Sequence, residues 1–301
     1  MFRNHFHKLT VLVTLVSLTV VLSCRRIPDP PVPDDTSIFA ACVIPGTEST
    51  IDIMSFNVQG FPKAGYASIA ALADLIMAMD PDVVALQEVA SEADFNRLVD
   101  LMPGWSGAYY PVNNDEWNLA YLIRVSEQET INGSLRTLFE GDSYAFPRPP
   151  LEIKVRHRKS GREITLINLH LKCCEGQDNE SRRRSASEKL KEYLDQQRPD
   201  DAVVMLGDYN DGIASASGTE NPFLNFINDD SSYRFADMAI ALGSGLWWSY
   251  PSWPSHIDHI MVTDELFGSI DTTMVIKASP CYPEYEEVIS DHRPLMIAIT
   301  P

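Results

Sequence analysis

The 301-residue chain is 45% hydrophobic and 22% charged, which is an ordinary globular composition and excludes a low-complexity or repetitive protein. Its 42 acidic and 24 basic residues give a formal net charge of −18. A protein that binds nucleic acid by neutralising many phosphates needs clustered lysines and arginines, and here only the short stretches 156–162 and 182–184 are basic. A phosphate-bearing substrate therefore has to be bound by local chemistry, such as a metal ion.

Residues 1–23 are predicted to form a secretory signal peptide. Two positive residues, Arg3 and Lys8, precede an unbroken run of apolar and hydroxyl residues at 9–22, and a small residue follows it. This order is typical of secretory signals, and the run is shorter than the ~20 residues that a membrane-spanning helix needs. The LSC sequence at 22–24 resembles the lipobox of bacterial lipoproteins, which implies a lipidated Cys24 at the new N-terminus.

Residues 24–50 are predicted to be a lipidated, proline-rich tether. The prolines of the stretch RIPDPPVP at 26–33 keep it extended and without a core. A regular hydrophobic rhythm begins at Ile51 and continues to Ile299, so residues 51–301 are expected to form one domain of catalytic size. We therefore expect an exported monomer, outside the cytoplasm, that is anchored to a membrane of the cell envelope through Cys24.

The four remaining cysteines are Cys42, Cys173, Cys174 and Cys281, an even number that fits an oxidising compartment. Three interpretations stay open at this point. The adjacent cysteines could be bridged to the two distant ones, the thiols could be free and buried, or they could bind a soft metal. Spacing alone does not choose among these, because disulfide pairing depends on the fold.

Hydrophobic periodicity predicts more strands than helices in the domain. Alternating or continuous apolar runs predict strands at 51–58, 82–89, 118–124, 151–157, 163–171, 201–207, 257–263, 272–278 and 294–300. Helical spacing predicts helices at 66–80, 91–102 and 180–197, with Ser91 as an N-cap and prolines 81 and 199 as stops. A purely parallel sheet would need more crossovers, so this order favours an α+β fold with two packed sheets and helices outside.

Six apolar segments each end in side chains that can bind a metal or move a proton. These side chains are Asn57; Glu88; Asn168 and His170; Asp208 and Asn210; His256, Asp258 and His259; and Asp291 and His292. Each one alone also fits a turn, a helix cap or a satisfied core histidine. Together, their oxygen ligands favour Mg²⁺ or Mn²⁺ over a closed zinc site. Carboxylates, amides and histidines in one place suit the metal-assisted cleavage of a phosphate ester.

The same segments resemble, in their order, those of the endonuclease/exonuclease/phosphatase family, which also includes neutral sphingomyelinase-like phospholipases. The matching stretches between Ile51 and Thr300 are SFNV, PDVVALQEV, NLHL, GDYN, IDHI and SDHRP. The resemblance implies a four-layer α/β/β/α fold, in which helices flank a two-sheet β-sandwich and the site lies at one edge. It also implies metal-dependent hydrolysis of a phosphate ester, with Mg²⁺ or Mn²⁺ as the cofactor.

The resemblance further implies roles for individual residues. It assigns the metal site to Asn57, Glu88 and Asp291, with Glu88 as the main ligand. It assigns catalysis to His170, Asp208, Asn210, Asp258 and His292. In this assignment Asp208 and Asn210 position or deprotonate the attacking water, although water activation could rest on His292 instead. Asp258 orients the imidazole of His292, and the two histidines stabilise the phosphoryl transition state.

Substrate specificity depends on loops and not on the fold. FPRPPL at 146–151 matches a family segment and makes Arg148 a candidate phosphate contact, and Trp253 is expected at the rim of the site. Trp247 and Trp248 are expected to pack under a loop, and Tyr121 is expected to pack in the core. We expect a nuclease acting on DNA or RNA. The alternatives are a phosphatase or sphingomyelinase-like phosphodiesterase of the phospholipase C type, and a catalytically silent surface binding protein.

Overall fold

The computed structural model describes residues 37–111, 117–214 and 221–301. The predicted signal peptide, Cys24 and the first part of the tether lie outside these residues. The strands are β1 (Ile51–Phe61), β2 (Val83–Val89), β3 (Trp105–Tyr110), β4 (Asn118–Arg124), β5 (Gln128–Thr130), β6 (Arg136–Thr137), β7 (Leu151–His157), β8 (Glu163–His170), β9 (Val203–Asp208), β10 (Tyr233–Phe235), β11 (Asp258–Thr263), β12 (Ile270–Val275) and β13 (Leu295–Ile299). The α-helices are α1 (Tyr66–Met79), α2 (Glu92–Asp100), α3 (Gln177–Gln197), α4 (Leu224–Ile227), α5 (Met238–Ala241) and α6 (Tyr285–Val288).

The strands form two mixed sheets. One sheet has the order β12-β13-β1-β2-β4-β3, and the other has the order β10-β11-β9-β8-β7-β5, with β6 also paired to β7. The pairs β1–β2 and β8–β9 are parallel, and the other pairs are antiparallel. These four parallel strands are central in their sheets, which agrees with their nearly continuous apolar sequences.

Three apolar clusters show that the molecule has four layers. The cluster between the sheets contains Ile53, Val83, Tyr121, Leu206 and Ile260. A second cluster lies between the first sheet and α1 and α2, and a third lies between the second sheet and α3 and α4. This confirms the predicted two-sheet sandwich flanked by helices. Tyr121 packs in the core as expected, and its hydroxyl donates to the carbonyl of Leu151.

Short-range sequence signals fix several ends of helices. The hydroxyl oxygen of Ser91 accepts a hydrogen bond from the backbone N–H of Asp94 at 3.2 Å, so Ser91 is the N-cap of α2 as predicted. Helix α1 ends at Asp80, which adopts the left-handed conformation directly before Pro81. Within the described ranges, no helix combines the length and the apolar character needed to cross a bilayer.

The folded domain extends in the N-terminal direction beyond the predicted boundary at Ile51. Phe39 is fully buried, the backbone N–H of Gly46 donates to the carbonyl of Met79, and Cys42 forms a disulfide with Cys281. Residues 37–50 are therefore part of the domain, because they contribute to its core, and the assignment of this stretch to the tether is corrected.

The cysteines adopt an arrangement that none of the three sequence interpretations describes completely. Cys42 and Cys281 pair with each other, across a sequence separation of 239 residues. Cys173 and Cys174 are free, but Cys173 is only half-buried and Cys174 is exposed. The pairing of the adjacent cysteines with the distant ones is therefore wrong, because the fold brings Cys42 against Cys281.

Candidate active site

The candidate active site lies at the edge where β8 and β9 end and β11 begins. In the parallel pair β8–β9, His170 is the register partner of Asp208, and in the antiparallel pair β9–β11, Asp258 is its partner on the other side. Three of the predicted catalytic residues are therefore neighbours across adjacent strands. All three are almost completely buried.

The facing edge of the other sheet contributes Asn57 and Glu88. The pairing of β1 with β2 is regular up to Asn57 and then shifts before Phe61. Gln59 and Glu88 have φ angles of 44° and 63°, which are uncommon for residues with a side chain. Irregular strand ends of this kind are over-represented beside active sites, because they redirect side chains. Here they direct the Asn57 and Glu88 side chains toward Asp208.

Asn57 joins two carboxylates. Its amide nitrogen donates to Glu88 Oε1 at 3.0 Å and to Asp208 Oδ2 at 2.9 Å, while its amide oxygen accepts from the backbone N–H of Gln59 at 2.9 Å. The oxygen that would bind a metal is therefore directed at the backbone. In the structure Asn57 is thus a hydrogen-bond donor that holds Glu88 next to Asp208, and its role at the metal site stays a prediction.

His170 is a buried, neutral imidazole. Its Nε2 lies 3.7 Å from both Glu88 Oε1 and Asp208 Oδ2. Burial, with the positive charges of Arg148 and His292, holds the pKa of His170 well below its usual value. Arg148 lies behind it and donates from Nη1 to the carbonyls of His170 and Leu171 at 3.4 and 3.3 Å. The structure thus places Arg148 at the site.

His292 is the oppositely tuned histidine. Burial alone would lower its pKa, but Asp258, whose Oδ2 lies 2.8 Å from His292 Nδ1, overcomes this effect and raises the pKa to about 10. The other ring nitrogen, Nε2, lies 4.0 Å from Asp208 Oδ2. Burial and the nearby Asp258 raise the pKa of Asp208 to about 7. The site therefore combines a charged histidine, a neutral histidine and a carboxyl group that titrates near neutrality.

Asp291 is held by a residue that the sequence analysis missed. Gln59 Nε2 donates to Asp291 Oδ2 at 2.8 Å, and Gln59 Oε1 accepts from the backbone N–H of Asp291 at 3.1 Å. These two bonds fix the carboxylate relative to the end of β1. Burial raises the pKa of both Asp291 and Glu88. The only sequence signal for Gln59 is its place between Asn57 and a glycine in SFNVQG.

The remaining predicted residues differ in their contacts. Asn210 donates from its backbone N–H to Asp208 Oδ1 at 2.8 Å, but its side-chain amide donates to the carbonyl of Leu171. Trp253 is 72% exposed on the turn between the bridged residues Tyr250 and Ser255. The Tyr250 ring lies 4.8 Å from the His292 ring, and this contact was not predicted.

Trp247 departs from the expectation, and the position of Trp117 was not predicted. Trp247 is 53% exposed with Lys277 over its ring, so its predicted packing under a loop is wrong. Trp248 is half-buried and donates from its indole nitrogen to the carbonyl of Ile240. The Trp117 ring lies edge-on to the His170 ring, with centroids 6.5 Å apart. An aromatic ring therefore accompanies each of the two histidines at the site.

Comparison with known proteins agrees with this arrangement. The model of the Endonuclease/Exonuclease/phosphatase family matches residues 54–292, a span that contains five of the six motifs and the first three residues of the sixth, SDHRP. The chain belongs to this family. Its members are divalent-metal-dependent phosphoester hydrolases, and the chain is an enzyme of that class. No curated protein matches the sequence.

Solved structures share the fold of this family member at low sequence identity. Zebrafish (D. rerio) TDP2 in complex with a single-strand DNA product is 15% identical, with a TM-score of 0.65 over 84% of this chain and 100% of that chain. A family protein from Bacteroides vulgatus is 16% identical, with a TM-score of 0.64 over 84% and 99%. A mannosyl-6-phosphatase from Bacteroides thetaiotaomicron is 14% identical, with a TM-score of 0.59 over 83% and 99%.

The donor atoms of this family member fit a divalent cation. Glu88, His170 and Asp208 each offer one ligand atom, and these atoms all lie within 4.8 Å of one another. The Oδ1 atom of Asp291 is buried and accepts no hydrogen bond from the residues that the structure describes. A buried carboxylate oxygen without a donor is costly, and a cation bound by oxygen atoms would remove that cost.

A buried network supports the site from behind. Asp237 Oδ2 lies 3.0 Å from His256 Nε2 and 2.6 Å from His259 Nδ1, and His259 Nε2 donates to the carbonyl of Asp211 at 2.9 Å. Both ring nitrogens of His259 face acceptors, so it is an imidazolium paired with Asp237. Sequence grouped His256 and His259 with the catalytic motifs. In the structure His259 holds the loop after Asp208, and His256 accepts from the backbone N–H of Ser249 at 3.2 Å.

Proposed function

We propose that this phosphoesterase is a Mg²⁺- or Mn²⁺-dependent nuclease that cleaves a phosphodiester bond of DNA or RNA. The observation that carries this proposal is the pair of aromatic rings, Trp117 and Tyr250, beside the two histidines. Bases stack on aromatic side chains in a way that tolerates any sequence. Trp253 is exposed on the turn that begins at Tyr250.

Glu88 and Asp291 are the proposed metal ligands. A divalent cation there would neutralise charge on the phosphate and on the departing oxygen. Both carboxylates are held before substrate arrives, Glu88 by the amide of Asn57 and Asp291 by the amide of Gln59. Preorganised ligands of this kind need no rearrangement to bind the ion.

Asp208 is the proposed general base. Its pKa of about 7 lets the carboxylate accept a proton from water near neutral pH. One oxygen is held by the amide of Asn57 and the other by the backbone N–H of Asn210. The side chain is therefore fixed while each oxygen keeps capacity to accept a further proton or hydrogen bond.

The two histidines are proposed to bind the nonbridging phosphate oxygens. Protonated His292, oriented by Asp258, donates from Nε2. A donor that is already in position stabilises the negative charge that develops on the phosphate oxygens in the transition state. Neutral His170 donates from Nε2, the ring nitrogen that lies 3.7 Å from Glu88 Oε1 and Asp208 Oδ2. Arg148 lies behind His170 and adds positive charge at the same edge.

The acidity of the chain supports single strands as substrates more than duplexes. Duplex binding depends on many contacts between cations and phosphates, whereas stacking does not require a net positive surface. The zebrafish TDP2 structure of the same fold contains a single-strand DNA product. We therefore propose single-stranded nucleic acid as the preferred substrate class of this site.

A second candidate is a phosphatase or a phospholipase C-type, sphingomyelinase-like phosphodiesterase. The net charge of −18 favours it, because a small phosphate ester needs only the local cations of the site. The mannosyl-6-phosphatase of the same fold is a protein whose name states such an activity. The difference between the two candidates is therefore the use of the aromatic rings.

A substrate panel tests both candidates. Single-stranded DNA, plasmid DNA, RNA, sphingomyelin, sugar phosphates and a bis-aryl phosphate are incubated with Mg²⁺, with Mn²⁺ and with a chelator. We expect chelator-sensitive cleavage of nucleic acid, with single strands cut faster, and weaker binding of nucleic acid by Tyr250→Ala than by Tyr250→Phe. Release of phosphate or choline phosphate without cleavage of nucleic acid favours the second candidate. Silence on every substrate favours a surface binding protein.

We also propose that the chain is exported as a monomer and anchored to the cell envelope through Cys24. The Cys42–Cys281 disulfide supports this location, because such bonds form in oxidising compartments. The test compares the full chain with Cys24→Ser in cell fractionation. Membrane-bound wild type and a released variant are expected, and a wild-type protein that stays in the cytoplasm contradicts the proposal.

A further inference from the structure

The short loop between β8 and α3 contains two adjacent thiols at the rim of the active site. The loop begins directly after His170, and its first residue is fixed, because the backbone N–H of Leu171 donates to the carbonyl of Asp208 at 2.9 Å. The carbonyl of Leu171 accepts from the side chain of Asn210. Cys173 and Cys174 follow two and three residues later. No step of the proposed reaction uses them.

The two sulfur atoms are already in contact. Cys173 Sγ and Cys174 Sγ lie 2.8 Å apart, and Cys174 has a φ angle of 77° in the left-handed region. A residue with a side chain occupies that region only when its surroundings impose it. The loop therefore holds the two side chains on the same side of the backbone, although neighbouring side chains in extended backbone point in opposite directions.

The backbone around the thiols is held by a buried arginine. Arg183 is 2% exposed and donates from Nη1 to the carbonyls of Lys172 and Cys174, at 2.8 and 3.0 Å. Its other nitrogens bind Asp211, in the loop after Asp208. The peptide bond before Cys173 and the peptide bond after Cys174 are thus anchored, which limits the conformations available to the pair and keeps the sulfurs together.

The other disulfide indicates how these thiols react. The Cys42–Cys281 bond shows that the fold brings two distant cysteines together for oxidation, and bonds of this kind persist in oxidising surroundings. Within the described residues those two cysteines are bonded to each other, so Cys173 has no partner closer than Cys174. An exposed thiol such as Cys174 is accessible to thiol–disulfide exchange.

We propose that Cys173 and Cys174 are a modification site, where a reversible vicinal disulfide forms beside the active site. A low-molecular-weight disulfide such as oxidised glutathione is the oxidant. The thiolate of one cysteine attacks it and forms a mixed disulfide, and the second thiolate then displaces glutathione. Both thiols lose their protons, one S–S bond forms in the protein, and the oxidant is reduced to two glutathione thiols.

The vicinal disulfide is the more easily reduced of the two bonds. Adjacent Cα atoms are ~3.8 Å apart, which is less than the usual separation of ~4.4–6.8 Å in disulfides, whereas Cys42 and Cys281 have a Cα separation of 6.0 Å. Disulfides that are strained or exposed have higher reduction potentials. The pair therefore opens and closes under conditions that leave the Cys42–Cys281 bond intact.

Peptide mapping of the full chain tests the site directly. Trypsin cleaves after Lys172 and Arg182 and releases CCEGQDNESR, a peptide that contains both thiols and no other cysteine. After treatment with oxidised glutathione and alkylation, the peptide is expected without alkyl groups and two hydrogen atoms lighter than its reduced form. A mild dithiol reductant is expected to restore double alkylation at a concentration about tenfold below that needed to open Cys42–Cys281.

The variant Cys173→Ser is the matched control, because it keeps one thiol in the same loop. It is expected to retain one glutathione, which shows that the loop is accessible to the oxidant. Three results would overturn the proposal. The peptide from oxidant-treated wild type could be doubly alkylated, or it could retain glutathione. Its disulfide could also be reduced only under the conditions that reduce Cys42–Cys281. The readout is a mass, so the result does not depend on the identity of the phosphoesterase substrate.

Discussion

Asp208 is the residue on which the proposed chemistry depends most. Replacement by asparagine keeps the shape of the side chain but removes the group that accepts the proton from water. We expect Asp208→Asn to lower kcat/KM by about 100-fold or more, measured on a bis-aryl phosphate with Mg²⁺. Asp230→Asn, which changes an exposed aspartate, is the control with unchanged activity. Near wild-type turnover in a correctly folded Asp208→Asn protein would contradict the assignment.

Most of the site residues that sequence predicted lie at or next to the end of an apolar strand segment. Glu88, His170, Asp208, Asp258 and His292 follow or begin apolar runs, and strand register then brings them together. Residues that reach the site from loops lack such a signal. Gln59 and Tyr250 are examples, because they contact Asp291 and His292 only through the tertiary fold. Sequence likewise could not show which end of the Asn57 amide faces the carboxylates.

At the scale of single elements, β9 requires a glycine next to its catalytic residue. A Cβ atom on Gly207 would lie 2.0 Å from the carbonyl oxygen of Leu169 in β8, and the φ angle of 147° is unfavourable for other residues. Gly207→Ala is therefore expected to destabilise the domain by about 3 kcal/mol or more, measured by urea unfolding. In Gly212→Ala the nearest atom would be 3.9 Å away, so a change within about 0.5 kcal/mol is expected. Equal stabilities would refute the close packing of β8 on β9.

The Asp237–His259 ion pair joins β11 to the segment after β10, and it predicts a pH dependence of stability. Burial alone would raise the pKa of Asp237, but His259 lowers it below its ordinary value of 3.8. The stability that Asp237 contributes is therefore present above pH 3.8 and is lost in acid. Burial alone would lower the pKa of His259, but Asp237 raises it above its ordinary value of 6.5. The stability that His259 contributes is therefore complete below pH 6.5 and is lost as the pH rises through the raised pKa. Together they stabilise the fold most between the two ordinary values.

The variant Asp237→Asn tests this dependence. We expect its free energy of unfolding to fall below that of the wild type by about 3 kcal/mol in the window between the two ordinary pKa values, and by less on either side. The measurement is urea unfolding in a series of buffers. A difference that does not vary with pH would contradict the pKa shifts that the ion pair imposes on Asp237 and His259.

Elements without a strong periodic pattern were the ones that sequence missed. Strand β3 has the sequence WSGAYY, with no regular alternation. Its glycine is required by a tertiary contact, because a Cβ atom on Gly107 would lie 2.6 Å from the Phe95 ring in α2. By contrast, the long α3 and the apolar β1, β2 and β9 were predicted within a few residues of their observed bounds. Local pattern therefore predicted the central strands, and packing decided the edges.

At the scale of the whole molecule, the Cys42–Cys281 bond closes almost the entire domain into one loop. Cross-linking restricts the unfolded chain more as the loop grows. We expect the double variant Cys42→Ser/Cys281→Ser to lose about 2–5 kcal/mol of stability, measured by urea unfolding. Reductant should destabilise the wild type by a similar amount and leave the variant unchanged. A reductant effect on the variant would place the stabilisation elsewhere.

The same bond determines how mechanical load would enter the domain. A pull on the chain ahead of Ser37 reaches Cys42 first, where the covalent branch to Cys281 diverts part of the tension into the connection between β12 and β13. The remaining tension passes along the chain to the start of β1. Because β1 and β13 are paired, the two branches load neighbouring strands of one sheet together. A domain under tension at its N-terminal end would therefore resist the separation of β1 from its sheet, and Asn57 and Glu88 would keep their relative positions.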